Sequence, residues 1–472
     1  MKKNKNKWAI SLASAALVAS AIVPVASATS FTDVEKNDHK DAILALAEAG
    51  IISGYPDGTF RPNAIVTRSN VTKLLGKWLV MEGYKIPEDY KTVARFSDLP
   101  VDYSDQELVQ YAALVKDVGV FKGSNNQLMH VNNMSREHMA LVLVRAINTV
   151  YGVDLIADYK EAQFESQITD LDQAMSDEKR EAIIALEYKE ITKVKTFNPK
   201  NILTRGQFAS FLNRSIENIT KDSQLAVDEV EEQIKNLPAD KDILEQGNKI
   251  LHAKTAFDAL SDYEKTLVNE ASKTKLDQAV NTFKSFNKSD ISGLQLKISR
   301  AETIEAKKAV VETAKANLEI AKALGISEAE YNFLNDMIIA GEKTVAKEAV
   351  EELEVQIRNL PADQDILAQG NKILSAKTAY DALSDYGKAL VSEASKTQLD
   401  QAVSKFILFN KSDINGLQLK ISRADSLEAK KAVVEAAKTN LEIAKALGIS
   451  EAEYNFLNDI IIAGEKTIAN GL

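Results

Sequence analysis

Cysteine is absent from all 472 residues, which excludes disulfide staples and thiolate metal sites. Histidine occurs four times, at His39, His130, His138 and His252, never in a His-Glu-x-x-His spacing. Glycine-rich phosphate loops and a nucleophile elbow are missing, and no segment carries the acidic ladder of a calcium loop. These absences point away from an enzyme and away from a bound metal or cofactor. Past residue 25, no apolar run approaches the length of a membrane span.

What is present is a chain of about three domains' length, 45% hydrophobic, with enough apolar content to build packed cores. Lys2, Lys3, Lys5 and Lys7 precede an apolar stretch from Trp8 to Val25, and Ala26-Ser27-Ala28 offers a small-x-small cleavage site. This pattern predicts a secretory signal peptide over residues 1–28, with a mature chain starting at Thr29 that holds no membrane span. Removing the four lysines takes the formal net charge from −10 to −14, which disfavours nucleic acid as a partner. The carboxyl end, Gly464 to Leu472, has neither an apolar tail nor a basic stop. Leu237-Pro238-Ala239-Asp240 is internal and lacks the threonine and glycine of a sortase signal. The expected attachment to a cell is therefore non-covalent.

Between Phe31 and about Ser215 one pattern occurs three times. It opens on an aromatic or apolar residue two places before an aspartate: Phe31-Thr32-Asp33, Phe96-Ser97-Asp98 and Ile168-Thr169-Asp170. It closes on a hydroxyl residue and an arginine, Thr67-Arg68, Ser135-Arg136 and Thr204-Arg205, the arginines 68 and 69 residues apart. Apolar positions Ile43, Leu44, Leu46 and Ala47, then Val71, Leu74, Leu75 and Trp78, share helical faces and predict helices over 38–49 and 67–79. Thr67, Ser135 and Thr204 stand where an N-cap belongs, which puts each arginine in the first turn of a helix.

The first repeat is the fullest, running through Gly50-Ile51-Ile52-Ser53-Gly54-Tyr55-Pro56-Asp57-Gly58-Thr59-Phe60-Arg61-Pro62 to Thr67-Arg68. It closely resembles the S-layer homology domain, the module by which many surface proteins of Gram-positive bacteria hold the cell wall. The second repeat keeps Gly119 and Gly123 without the Asp-Gly turn. The third keeps Thr196-Phe197-Asn198-Pro199 without the glycines. The resemblance implies three copies, over 29–90, 91–155 and 156–218, forming a pseudo-threefold helical bundle with grooves between neighbours. It also implies secondary cell-wall polysaccharide as the ligand, often carrying a pyruvate ketal whose carboxylate needs a cationic partner.

Arg68, Arg136 and Arg205 are the leading candidates for that partner, because a guanidinium is a planar fork of donors that stays charged. Two acidic macromolecules gain nothing from their overall fields, so short-range arginine contacts must hold them. The bland alternative is that each arginine pairs with its own repeat's Asp33, Asp98 or Asp170. These aspartates are also candidate binding residues, and Asp33 has a second plain role as cap of the following helix. Gly54 would allow close approach of a sugar, with Tyr55 or Trp78 stacking on its face; the plain reading of this loop is a turn.

Beyond Ser215 the composition shifts to Ala, Lys, Glu and Leu. Ile234-Lys235-Asn236-Leu237-Pro238-Ala239-Asp240 returns as Ile357-Arg358-Asn359-Leu360-Pro361-Ala362-Asp363, 123 residues on, and Leu318 to Asp336 is identical to Leu441 to Asp459. Two tandem helical modules, 223–345 and 346–472, follow from this period, each with about five helices. Ser261-Asp262-Tyr263-Glu264 and Ser327-Glu328-Ala329-Glu330 fit capping boxes, and Leu324-Gly325-Ile326 fits a helix stop. Their carboxylate clusters read as solvated faces. The expected whole is an all-α, secreted, wall-associated protein, anchored through 29–215 and displaying the modules outward. The modules' ligand is unassigned. Adhesin, plain spacer and S-layer lattice subunit remain alternatives, with wall hydrolase the rival among enzymes.

Overall fold

The computed structural model describes residues 30–238 and 240–469, so the signal peptide expected at 1–28 lies outside the described residues. Nineteen α-helices and four short 3-10 turns account for the regular structure among them, and β-pairing is confined to isolated bridges. The fold is all-α, as the periodicity predicts. The chain divides into two compact units, one holding residues up to Glu232 together with Phe257–Asn269, the other Gln233–Ala256 with Glu270–Leu472.

In the first unit the predicted helices appear as Lys40–Glu48 and Arg68–Met81, with counterparts Gln106–Asp117 and Arg136–Tyr151, then Asp177–Tyr188 and Arg205–Lys235. Thr67 and Asn70 exchange side-chain and backbone bonds in a reciprocal cap, and Thr204 and Gln207 do the same. Ser135 also stands at an N-cap, but its hydroxyl meets His138 Nδ1 instead, at 2.6 Å. A single core joins all six helices, with Ile43, Leu75, Leu143, Ile147, Leu186 and Leu212 among its buried members. Tyr263, from the short helix Asp262–Leu267, stands edge-on to Tyr151 at 4.8 Å within this unit.

The three repeats close into a ring at their helix starts. Val66 N–H donates to Leu203 O (3.0 Å), Leu203 N–H to Met134 O (2.8 Å) and Met134 N–H to Val66 O (2.9 Å). All three side chains are fully buried. The exposed first-turn amides then reach into the next repeat: Arg68 N–H to Asn132 O, Arg136 N–H to Asn201 O and Arg205 N–H to Ala64 O, all at 2.8–2.9 Å. Free amides at a helix start require acceptors, and here a neighbouring loop supplies them. Threefold order thus follows from satisfying backbone donors.

Six helices begin per sequence period, at 247, 262, 270, 294, 304 and 328, and again at 370, 385, 393, 417, 427 and 451, one more than predicted; the one at 262 belongs to the first unit and the others to the second. Among them are the short helices Leu294–Arg300 and Leu417–Arg423, which follow Gly293 and Gly416 at the ends of the long helices before them. The helix Glu328–Arg358 runs on through residues 345 and 346, where the period places a module boundary. Equivalent residues fill both cores: Ile291, Leu294, Leu318 and Ile338 in one, Ile414, Leu417, Leu441 and Ile461 in the other.

Asn287 and Asn410, equivalent positions, are buried with neither side-chain atom bonded to another protein group. A buried unpaired amide costs about 1–3 kcal/mol. Asn287→Leu and Asn410→Leu are therefore expected to raise the stability of the second unit by roughly that amount each. Chemical denaturation would register this as a higher midpoint, and an unchanged or lower midpoint would contradict it.

Candidate functional site

Each repeat builds the same turn. Asp33 accepts from Phe60 N–H (2.8 Å) and Arg61 N–H (2.7 Å), Asp98 from Leu128 and Met129 (both 2.7 Å), and Asp170 from Phe197 (2.8 Å) and Asn198 (2.7 Å). The second residue of each pair lies in the left-handed region, with φ of 59°, 54° and 56° at Arg61, Met129 and Asn198. That backbone is unfavourable for a residue with a Cβ, and two charge-assisted bonds from one carboxylate hold it there. The aspartates therefore neither meet the arginines of their own repeats nor cap the following helix: Asp33 binds a loop nearly thirty residues on, and Asp170 is buried. Asp33 stays exposed and Asp98 part-buried while both hold their turns, so the carboxylates set the backbone that carries the neighbouring carbonyl.

The turn aims one carbonyl at the preceding repeat's arginine. Arg68 Nε donates to Leu128 O (2.6 Å), Arg136 Nε to Phe197 O (2.6 Å) and Arg205 Nε to Phe60 O (2.9 Å). Each pairing is thus composite, with the arginine from one repeat and the turn from the next, and the third repeat's arginine serves the first repeat's turn. No ion pair involves these arginines among the described residues. Among the described residues the terminal nitrogens of Arg68 and Arg136 meet no protein acceptor, whereas Arg205 also donates one to Ser53 O at 3.1 Å.

Aromatic rings back every guanidinium: Phe121 lies 5.5 Å from Arg68, Phe197 and Phe211 lie 4.6 and 5.2 Å from Arg136, and Phe60 and Tyr55 lie 4.5 and 5.0 Å from Arg205. Burial against them lowers the pKa of all three arginines from the ordinary value, though a guanidinium so far above neutrality stays charged. A half-buried cation that has lost hydration and keeps free donors favours an anion. Of these rings only Tyr55 is among the sequence-based candidates; Phe60 and Phe197 carry a legible signal, since each stands directly before the left-handed position of its turn, where the second repeat has Leu128.

The loop around Gly54 is tightly built. A Cβ there would come within 2.4 Å of the Phe31 ring and 2.7 Å of Thr59 O, so the glycine is required by packing. Gly123 is pinned likewise by Phe96 and Gln127 O. The third repeat, with Ile168 in the phenylalanine's place, carries no glycine between Ile191 and Asn198. Asp57 binds the Thr59 hydroxyl and Arg61, which hold its carboxyl down at about 2. Tyr55 lies between Arg61 (4.0 Å) and Arg205 (5.0 Å), so it braces the arginine as well as edging the groove. Trp78 is fully buried, its indole N–H donating to Glu82 (2.9 Å) and its ring beside Tyr151. It cannot stack on a sugar; the expectation fails because the same helical stripe that marks a surface aromatic also marks a core one.

Groove-specific chemistry gathers around Arg68. His138 stands near it, and burial, with the Lys179 and Arg68 charges, pushes the imidazole down to about 4. The folded state therefore prefers the neutral ring. Its contribution is complete above about pH 6.5, the unfolded value, and is lost as pH falls from there through about 4. Thermal melts are expected to fall more steeply between those pH values in the native chain than in His138→Asn; parallel curves would rule this out. Next to it, Glu137 is fully buried, accepting from Lys179 Nζ (2.8 Å) and Met175 N–H (2.9 Å) and so tying the second repeat to the third.

Comparison with known proteins places this geometry. The sequence profile of the S-layer homology domain matches residues 30–69 and 167–209, the segments that hold the first and third turns and their arginines. The chain is 30% identical to the Surface-layer 125 kDa protein of Lysinibacillus sphaericus over 237 residues, 49% of this chain and 18% of that one. It is 28% identical to an S-layer protein of Bacillus thuringiensis subsp. finitimus over 204 residues, 43% of this chain and 23% of that one. With S-layer protein EA1 of Bacillus anthracis it shares 28% over 201 residues, 42% and 21% of the two chains. The chain therefore spans about a fifth of the length of these curated relatives.

Proposed function

We propose that residues 29–90, 91–155 and 156–218 act as three S-layer homology domains that anchor a secreted protein non-covalently to secondary cell-wall polysaccharide. The observation that carries this reading is the thrice-repeated arginine, fixed through Nε on a neighbour's carbonyl, with terminal donors of Arg68 and Arg136 left without a protein acceptor among the described residues. Such a fork suits a carboxylate on a sugar, the pyruvate ketal being the expected substituent. The match to the S-layer homology domain supports the same assignment. The helical modules are then displayed outward, and no catalytic role is assigned to any residue.

Cosedimentation with purified walls tests it. Native walls are expected to pellet the protein, and walls stripped of secondary polysaccharide are expected to leave it in solution. Undiminished binding to stripped walls would redirect the assignment to bare peptidoglycan. A second reading, a lattice-forming surface subunit, is favoured by the names of the relatives; electron microscopy of the purified protein would reveal ordered arrays if it holds.

A further inference from the structure

A second candidate site lies in the second unit, where the helices Ile304–Ala323 and Glu328–Arg358 meet the short helix Asp385–Leu390. There a cleft of about 570 Å³ opens over Val311, Ile339, Ala346 and Leu383, within the volume range of ligand sites. Its charges are unequal. Glu312 and Glu342 both face the cleft, but Lys315 binds both. Lys308 and Lys343 line the same cleft, are exposed, and form no ion pair among the described residues. With Lys315 counted, Lys308, Lys315 and Lys343 stand against Glu312 and Glu342, so in a chain of net charge −10 the rim carries a small positive excess over an apolar floor.

The wall of the cleft also carries Tyr386, 39% exposed and without an aromatic or cationic partner among the described residues. One period earlier the same Ser-Asp-Tyr sequence places Tyr263 in the first unit. There its ring packs edge-on against Tyr151, which lies beside Trp78, whose indole N–H is bonded to the Glu82 carboxylate. The tyrosine of this motif thus engages an aromatic ring with a carboxylate close by. At Tyr386 the ring is open and two lysines stand ready for the carboxylate.

We propose that this cleft docks a peptide segment of a partner protein that presents an aromatic side chain flanked by carboxylates. The ring enters over Val311 and Ile339 against Tyr386, and the acids meet Lys308 and Lys343. The site lies outside the arginine grooves and does not depend on wall anchoring.

Fluorescence anisotropy of fluorescein-labelled acetyl-EEWLEE-amide against the full chain tests it, with acetyl-KKWLKK-amide as the opposite charge. The acidic peptide is expected to bind and the basic one not to. Lys308→Glu with Lys343→Glu is expected to weaken binding about tenfold or more, and Tyr386→Ala to weaken it as well. Lys431→Glu with Lys466→Glu makes the same charge change one period on and is expected to leave binding unchanged. Circular dichroism of each variant confirms that the helices persist. Absence of binding by the acidic peptide, equal binding of the basic one, or equal losses in the two double variants would overturn the proposal.

Discussion

Glu137→Ala is expected to lower the stability of the first unit by about 3–5 kcal/mol, the usual cost of removing one partner from a buried pair. The reason is specific. Glu137 has no solvent exposure, and its two oxygens take the Lys179 ammonium and the Met175 amide. Truncation leaves the half-hidden Lys179 cation, 12% exposed, without its counter-charge, and leaves an amide unpaired. Because the pair joins the second and third repeats, the loss should also loosen the groove that Arg136 shares with Phe197. Denaturant titration measures the first effect, and a change below about 1 kcal/mol would mean that water satisfies Lys179 and that the pair is dispensable.

Arg205→Ala is expected to weaken wall retention as strongly as Arg68→Ala, each by roughly ten- to a hundredfold, the worth of one charge-assisted contact. On sequence alone the third repeat lacks the glycines of the first two, which makes its arginine look the least promising. In the folded chain Arg205 serves the first repeat's complete turn, bonded to Phe60 O and Ser53 O and backed by Tyr55. Binding isotherms on purified walls, with helicity checked by circular dichroism, compare the two. Wild-type retention by Arg205→Ala would show that its second carbonyl bond leaves too little of the guanidinium for a ligand. Wild-type retention by Arg68→Ala would count against arginine grooves as the anchoring device altogether.

Much of the molecule is legible one residue at a time. Thr67 and Thr204 cap helices because a hydroxyl before an apolar stripe has an amide to bind, and Ser261 with Glu264 forms the expected reciprocal cap. Gly325, with φ of 85°, ends its helix where the sequence places a stop. Trp78 was misread for a general reason: an amphipathic stripe identifies an apolar face, and burial depends on what covers it. The recurring aspartates carried a true signal with the wrong partner, since a carboxylate's preference for backbone amides of a left-handed turn is invisible until the turn exists.

The sequence by itself determined the all-α class, the threefold recurrence of aspartate and arginine, and the 123-residue period, because helix periodicity, caps and repeats are local properties. Tertiary structure alone decided which arginine meets which turn. Helix-start amides at Arg68, Arg136 and Arg205 need acceptors, and only the next repeat's loop offers carbonyls at that distance. That requirement shifts every arginine one repeat forward around the ring, so the incomplete third repeat and the complete first one share a single groove.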